Sequence, residues 1–587
     1  MAIKRRKKRK KREMKPEKRV KDIFGKSVKL GRPSNYPSKE KQEAIALKRN
    51  LSYWCLATPV VLDGSQFSFK GHEYLIDVYN SDNIIEVYQK AAQMGFSTRV
   101  ILESLHKCKY LYPNGVLYLF PTKTDVTDFS KSKFARLMNE NPFLQEWVRD
   151  TDAANIKSIG RGNFYFRGMK TRGGLKTIPV DLIVFDEYDE HISVTGREMK
   201  LFTSPELALE RASHSKYKHQ RYLSTPTLPD FGINLVYQSS DQKHFFIRCD
   251  KCNTWTCLEE EFVAADGEEQ KILYYSKKLG KVIRACKKCG AELPKVGYDN
   301  NCEWVKKVTT KGLSSGWWIS QLNSMYVAPV NILEQYEIHV LRTRKPVTGQ
   351  PNPQEFWNSK IGHPWVSATA RLTVETIRKC CGNFQLQAHD SGPCVMGVDQ
   401  GSDLHVVITS LRFGKPTVLY LGILKDWEEL DNLMRSFAVA CCVVDALPET
   451  RNARAFAKRF PKKVFMNYYV DRKGDFSWNE EEYIVQENRT ESMDESHIVI
   501  DTAEVILPAS GIPEVEEFIK HCHNVAKKLV EDEVKGSKRY IYVRLGADHF
   551  RHSFNYACIA STRVLRYGIG DGEITIESSM KSAQSDW

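Results

Sequence analysis

Apolar residues in this chain gather into short continuous runs, each stopped by polar or turn-forming residues. Runs of that kind predict buried strands of a parallel sheet, since half-exposed strands would alternate. The sharpest is Leu182-Ile183-Val184-Phe185 within Val180–Asp189, and it ends in adjacent carboxylates, Asp186 and Glu187. Gly115–Thr122 and Asn163–Gly168 precede it as strands, and Gln220–Thr227 follows as a strand ending in hydroxyl residues. His72–Val87 reads as a helix leading to a short strand, and Arg99–Lys109 as a helix. Strand–helix alternation at this spacing predicts a mainly parallel, doubly wound α/β sheet.

The last third has a different rhythm. Cys394–Asp403, Leu404–Leu411 and Lys415–Leu424 predict an antiparallel meander, with Asp399 placed on its first strand. Ala438–Asp445 is a fourth apolar strand that again ends in an acid, and Ala547–Ala557 lies on a helix.

At 587 residues the chain needs more than one core. Its 42% apolar and 27% charged residues describe a globular protein. No run has membrane-spanning length and no hydrophobic signal segment is expected. Fifteen scattered cysteines point to a reducing compartment, with thiols or metal sites in place of disulfides. The net charge of +15 is uneven: residues 1–21 carry thirteen Lys or Arg against Glu13 and Glu17. The unbroken run Lys4–Arg12 is expected to be disordered. It reads as an arm that binds nucleic-acid phosphates without sequence preference, a targeting signal, or a solubility tag.

Candidate chemistry gathers at strand ends. Paired acids at the carboxyl end of a strand sit where open α/β sheets bind ligands. Lys90 to Thr98 supplies a glycine for close backbone approach, Gly95, and hydroxyls for Mg²⁺, Ser97 and Thr98. Phe96 stands where a phosphate loop has its lysine, so Lys90 is the candidate cation. Ser224–Thr227 could sense a terminal phosphate beside that loop, or be simple turn chemistry.

A separate signal is Cys249-x-x-Cys252 with Cys286-x-x-Cys289, with 33 residues between the inner cysteines. Two such knuckles complete a tetrahedral Zn²⁺ site, and four thiolates make it closed and structural. In the last third, Asp399, Asp445 and a late helix match an RNase H-like plan in which acids hold two metal ions. Asp548 is taken as the third ligand and His552, four residues on, as its rival. A histidine ligand would favour Mn²⁺ over Mg²⁺.

In this order Lys90–Thr98, Asp186-Glu187 and Ser224–Thr227 resemble the motor of phage terminase large subunits, most of all the lambda type. That type is similar in its early lysine, its cysteine insertion and a following stretch like Gly316-Trp317-Trp318. The resemblance implies a P-loop ATPase of RecA/ASCE-like fold, a zinc-ribbon-like insertion and a C-terminal RNase H-like α/β nuclease. The expected division is a basic tail and connector over 1–57, motor 58–245, insertion 246–320, connector 321–390, nuclease 391–570 and tail 571–587. By resemblance Lys90, Gly95, Ser97 and Thr98 bind phosphate, Asp186 holds Mg²⁺ and Glu187 activates water. Gln93 stands where other terminases have an arginine; Arg99 and Arg172 are not assigned its role. The resemblance further implies ATP, Mg²⁺ or Mn²⁺ and Zn²⁺ as cofactors. It implies double-stranded DNA, a small terminase subunit and a portal protein as partners, with no membrane. A working ring, in the host cytoplasm and transiently at the procapsid but not in the virion, follows in the same way. The rival readings are a helicase or repair translocase fused to a nuclease, and a zinc-ribbon scaffold with an inactive ATPase fold.

Overall fold

The computed structural model describes residues 19–21, 27–29, 39–149, 155–169, 178–195, 198–201, 208–294, 301–309, 314–347, 350–367, 370–412, 415–472, 474–531 and 538–567. Lys4–Arg12, Arg172 and the tail over 571–587 lie outside them. Among the described residues no helix is long and apolar enough to cross a membrane.

Seven strands form the parallel body of the first sheet. They are β1 (Ile85–Lys90), β2 (Gly115–Phe120), β3 (Gly162–Gly168), β4 (Leu182–Asp186), β5 (His219–Ser224), β6 (Lys243–Arg248) and β7 (Ser314–Ile319). Their order across the sheet is β6-β7-β1-β5-β4-β2-β3, every neighbouring pair parallel. Short antiparallel strands extend both edges and bring the sheet to 11 strands. All five residues of β4 are buried, as a central strand covered on both faces requires.

The expected boundary at 245 falls inside this sheet, and the expected insertion over 246–320 includes one of its central strands. β6 crosses that boundary, and β7, after the cysteine insertion, returns to pair with β1 over its whole length. The segment expected as a connector from 321 is also packed on the residues that follow β1. Ala92 N–H donates to Ser359 O at 2.9 Å, and a Cβ on Gly362 would come within 2.6 Å of Ala91 N. Residues 91–92 and the end of the helical turn over 359–362 therefore lie backbone to backbone.

The helix α1 (Phe96–Tyr110) follows the loop after β1. It carries an internal ion cluster in which Glu103 accepts from Arg221 of β5 at 2.7 and 2.9 Å and also pairs with Arg99 and Lys107. Burial pushes the Glu103 carboxyl up, but Arg221, Arg99 and Lys107 outweigh it and hold it well below the usual range. Arg99 is fully buried there.

The second sheet is built from β8 (Cys394–Gln400), β9 (Leu404–Ser410), β10 (Thr417–Leu424), β11 (Val439–Asp445), β12 (Val464–Tyr469) and β13 (Ile484–Glu487). Its order is β10-β9-β8-β11-β12-β13, with the short strand Ser477–Asn479 at the far edge. The meander β8-β9-β10 is antiparallel and β8-β11-β12-β13 is parallel. A hairpin of β14 (Val525–Glu531) and β15 (Lys538–Arg544) leads into the long helix α2 (His549–Tyr567). That helix packs so closely on β8 that a Cβ on Gly397 would lie 1.9 Å from Ser553 O. Only glycine fits there.

Candidate functional site

The carboxyl ends of β1, β5 and β4 open on one crevice, because their registers align Gln89 with Ser224 and Leu223 with Asp186. Ligands bind at such strand ends in open α/β sheets. Gly95 takes φ +82° and caps α1, a left-handed position that favours glycine. Phe96 points down into the core, its ring 5.0 Å from Tyr88, so it is a packing residue and not a replacement for the loop cation. Lys90 stands at the end of β1, with its Nζ 3.1 Å from Glu187 Oε1. Ser97 Oγ is 3.4 Å from Asp186 Oδ1, and Thr98 follows in the same helical turn. Thr225 N–H donates to Glu187 Oε2 at 3.4 Å, which ties the hydroxyl-bearing strand end to the second acid.

Three residues that the sequence did not single out complete the crevice. Tyr118 of β2 donates its hydroxyl to Asp186 Oδ2 at 2.6 Å from a fully buried position. His191 Nε2 lies 2.6 Å from Asp186 O. Asp189 accepts from Thr227 N and Oγ1 at 2.8 and 2.7 Å and from Ile233 N at 2.6 Å, and so clamps the loop after β5. Their only signal in the sequence was position within or shortly after a recognised strand. Burial, and then the neighbouring Glu187, raise the Asp186 carboxyl above its ordinary range despite Lys90. Two adjacent carboxylates with one lysine are short of positive charge, and a divalent cation at Ser97 and Asp186 fits that deficit.

The four cysteines converge as their spacing requires. Cys249 Sγ is 3.7 Å from Cys289 Sγ and Cys252 Sγ is 3.5 Å from Cys286 Sγ, all four lying within 4.8 Å of one another. Zn–S bonds of about 2.3 Å in a tetrahedron set S–S edges of about 3.8 Å. The two knuckles share a local design. Asn253 N–H donates to Cys249 O and Gly290 N–H to Cys286 O, and both residues have positive φ. Asn and Gly are the residues that tolerate that conformation. The set fits a zinc ion.

In the second sheet β8 and β11 pair in register at Val398 and Val444, so Asp399 and Asp445 stand side by side one residue further on. Burial, then the Asp399 charge, pushes Asp445 up to about 6. A like-charged pair of this kind fits divalent cations. Residues at the start of the late helix carry the remaining candidates. Asp548 faces His552 and Arg544, each at 3.3 Å, and these partners with Arg489 outweigh burial to hold it down at about 2. It is His549 that reaches Asp399, Nδ1 to Oδ2 at 2.8 Å, with His405 stacked on its ring at 4.4 Å. Asp399, His405 and His549 offer ligand atoms within 4.8 Å of one another.

The family model of the phage terminase large subunit gpA, ATPase domain, matches residues 74–304. No curated protein matches the chain in sequence. Among solved structures, the large terminase of bacteriophage HK97 is similar at 10% identity and a TM-score of 0.47, covering 89% of this chain and 99% of that one. A large terminase from a thermophilic bacteriophage is similar at 12% identity and a TM-score of 0.28, over 84% of this chain and 97% of its own. The large terminase nuclease of the thermophilic phage G20c is similar at 12% identity and a TM-score of 0.23, over 31% and 96%. The matched segment contains Lys90–Thr98, Asp186, Glu187, Ser224–Thr227 and the four cysteines, and over it the chain is similar to the ATPase domain of the phage terminase large subunit gpA.

Proposed function

We propose that the protein hydrolyses ATP to drive double-stranded DNA into a procapsid and cuts concatemeric DNA with a metal-dependent nuclease. The observation that carries this is the meeting of Lys90, Ser97, Asp186, Glu187 and Thr225 at one crevice. Lys90 and the backbone of Gly95 to Thr98 bind phosphates, and Ser97 with Asp186 holds the Mg²⁺ that offsets their charge. Glu187 orients the attacking water, and its contact with Thr225 carries the loss of the terminal phosphate to the β5 loop. Tyr118 fixes the Asp186 carboxylate so that Oδ1 is left to face Ser97. The test is steady-state ATP hydrolysis by the full chain with and without linear duplex DNA. Absence of hydrolysis in the presence of Mg²⁺ and duplex would overturn the reading in favour of a scaffold with an inactive ATPase fold.

Asp399 and Asp445 would hold the cations that activate water and stabilise the leaving oxygen at the nuclease. His549 shares the first of these acids, and Asp548 and His552 form a neighbouring pair. His549→Ala is expected to lower the plasmid-nicking rate by about 10- to 100-fold, the range for a residue that orients a ligand. Asp548→Asn, tested beside it, is expected to cost less. The reverse order would return the third-ligand role to Asp548 or His552.

Cys249, Cys252, Cys286 and Cys289 would hold a structural zinc. Cys289→Ser is expected to reduce bound zinc from about one ion per chain to near none and to lower the unfolding temperature. Full zinc content in that variant would rule the site out. By kinship with terminases we also propose a small terminase subunit and a portal protein as partners, a homo-oligomeric ring, and action in the host cytoplasm.

A further inference from the structure

We propose that Glu259, inside the cysteine-bearing insertion, is a positioning residue for the phosphate loop. The proposal rests on the reading of Lys90–Thr98 as that loop. Glu259 lies on the short helix Leu258–Val263 and is fully buried. Its Oε1 accepts three hydrogen bonds, from Ser320 N at 2.8 Å, Ser320 Oγ at 2.7 Å and Asn323 Nδ2 at 2.6 Å. A carboxylate sunk this deep is costly unless such donors satisfy it.

The turn it grips is the one that touches the loop. Ile319, the last residue of β7, accepts at its carbonyl from Ala91 N–H at 2.9 Å. Gln321 Nε2 donates to Ala92 O at 3.0 Å. Ala91 and Ala92 follow Lys90 directly and lead into Gln93, at φ +59°, and Gly95. Phosphate binding by a loop depends on the direction of its backbone N–H groups. A continuous chain of contacts thus runs from the helix beside the knuckles, through Glu259, Ser320 and Gln321, to the peptides that face a nucleotide. Ser320 Oγ already caps its own turn by accepting from Leu322 N–H at 3.2 Å, so the turn does not need a buried acid to close. What the acid adds is a fixed attachment of turn to insertion.

The experiment measures binding of Mg²⁺ and ATPγS to the full chain by calorimetry. Glu259→Ala is expected to weaken binding about tenfold, within the range for residues that act on a site without touching its ligand. Glu259→Gln keeps an acceptor oxygen and is expected to restore most of the loss. Gln321→Ala is expected to weaken binding comparably, and the double variant to be no worse than the stronger single one, because both interrupt one chain of contacts. Unchanged binding in Gln321→Ala, or losses that multiply in the double variant, would overturn the proposal even if Glu259→Ala fails to fold. Failure of the unaltered protein to bind ATPγS would instead sink the ATPase reading itself.

Discussion

Asp399→Asn and Asp445→Asn will each abolish DNA cleavage, by on the order of a thousandfold or more, while ATP turnover stays within about twofold. The two acids stand on adjacent parallel strands of a sheet that is separate from the motor sheet. Asparagine keeps their size and leaves Leu447 N–H, which now donates to Asp445 Oδ1 at 3.1 Å, an oxygen to bond. The substitution therefore removes charge without opening a cavity. Removing one of two carboxylates also relieves their mutual repulsion, a gain that in Asp399→Asn is set against the weakened contact with His549. Nicking of supercoiled plasmid in Mg²⁺ or Mn²⁺, with ATPase activity measured on the same preparation, reads both activities. Loss of both together would count against two separate sites.

The second large effect lies at the crevice of the first sheet. Glu187→Gln is expected to slow hydrolysis by about 10²- to 10⁴-fold, the usual contribution of a general base, with nucleotide binding retained. Lys90→Ala is expected to lose binding as well. Lys90 is nearly buried and its one described acidic partner is Glu187, so truncating it removes a phosphate ligand and frees the acid it holds. Single-turnover hydrolysis separates the two outcomes. A Glu187→Gln enzyme that turns over at the unaltered rate would assign water activation elsewhere.

β2 and β4 were legible because each is an unbroken apolar run of strand length, with Asp186 at the end of β4. Asp186 and Lys90 could be paired on paper for the same reason: both close a strand of one sheet. β7 was not legible. Gly316-Trp317-Trp318 was noticed as a stretch, but its pairing with β1 spans the whole insertion, and no local periodicity encodes a contact that distant. Phe96 counted against the phosphate loop in sequence, and only its packing on Tyr88 explains it. At the late helix, spacing gave correctly that Asp548 and His552 share a face. It could not give which way that face turns, and the turn that brings His549 to Asp399 comes from the close contact at Gly397.

The return of β7 to the side of β1 also constrains how the protein is made. While the nascent chain emerges from the ribosome, β1 has β5 on one flank and a bare edge on the other until residue 319 has been synthesised. Open edges of that kind invite pairing with other chains. Translation must thus deliver the cysteine insertion before the motor sheet is closed, so a fragment ending at 245 is expected to aggregate where one ending after 362 stays dispersed.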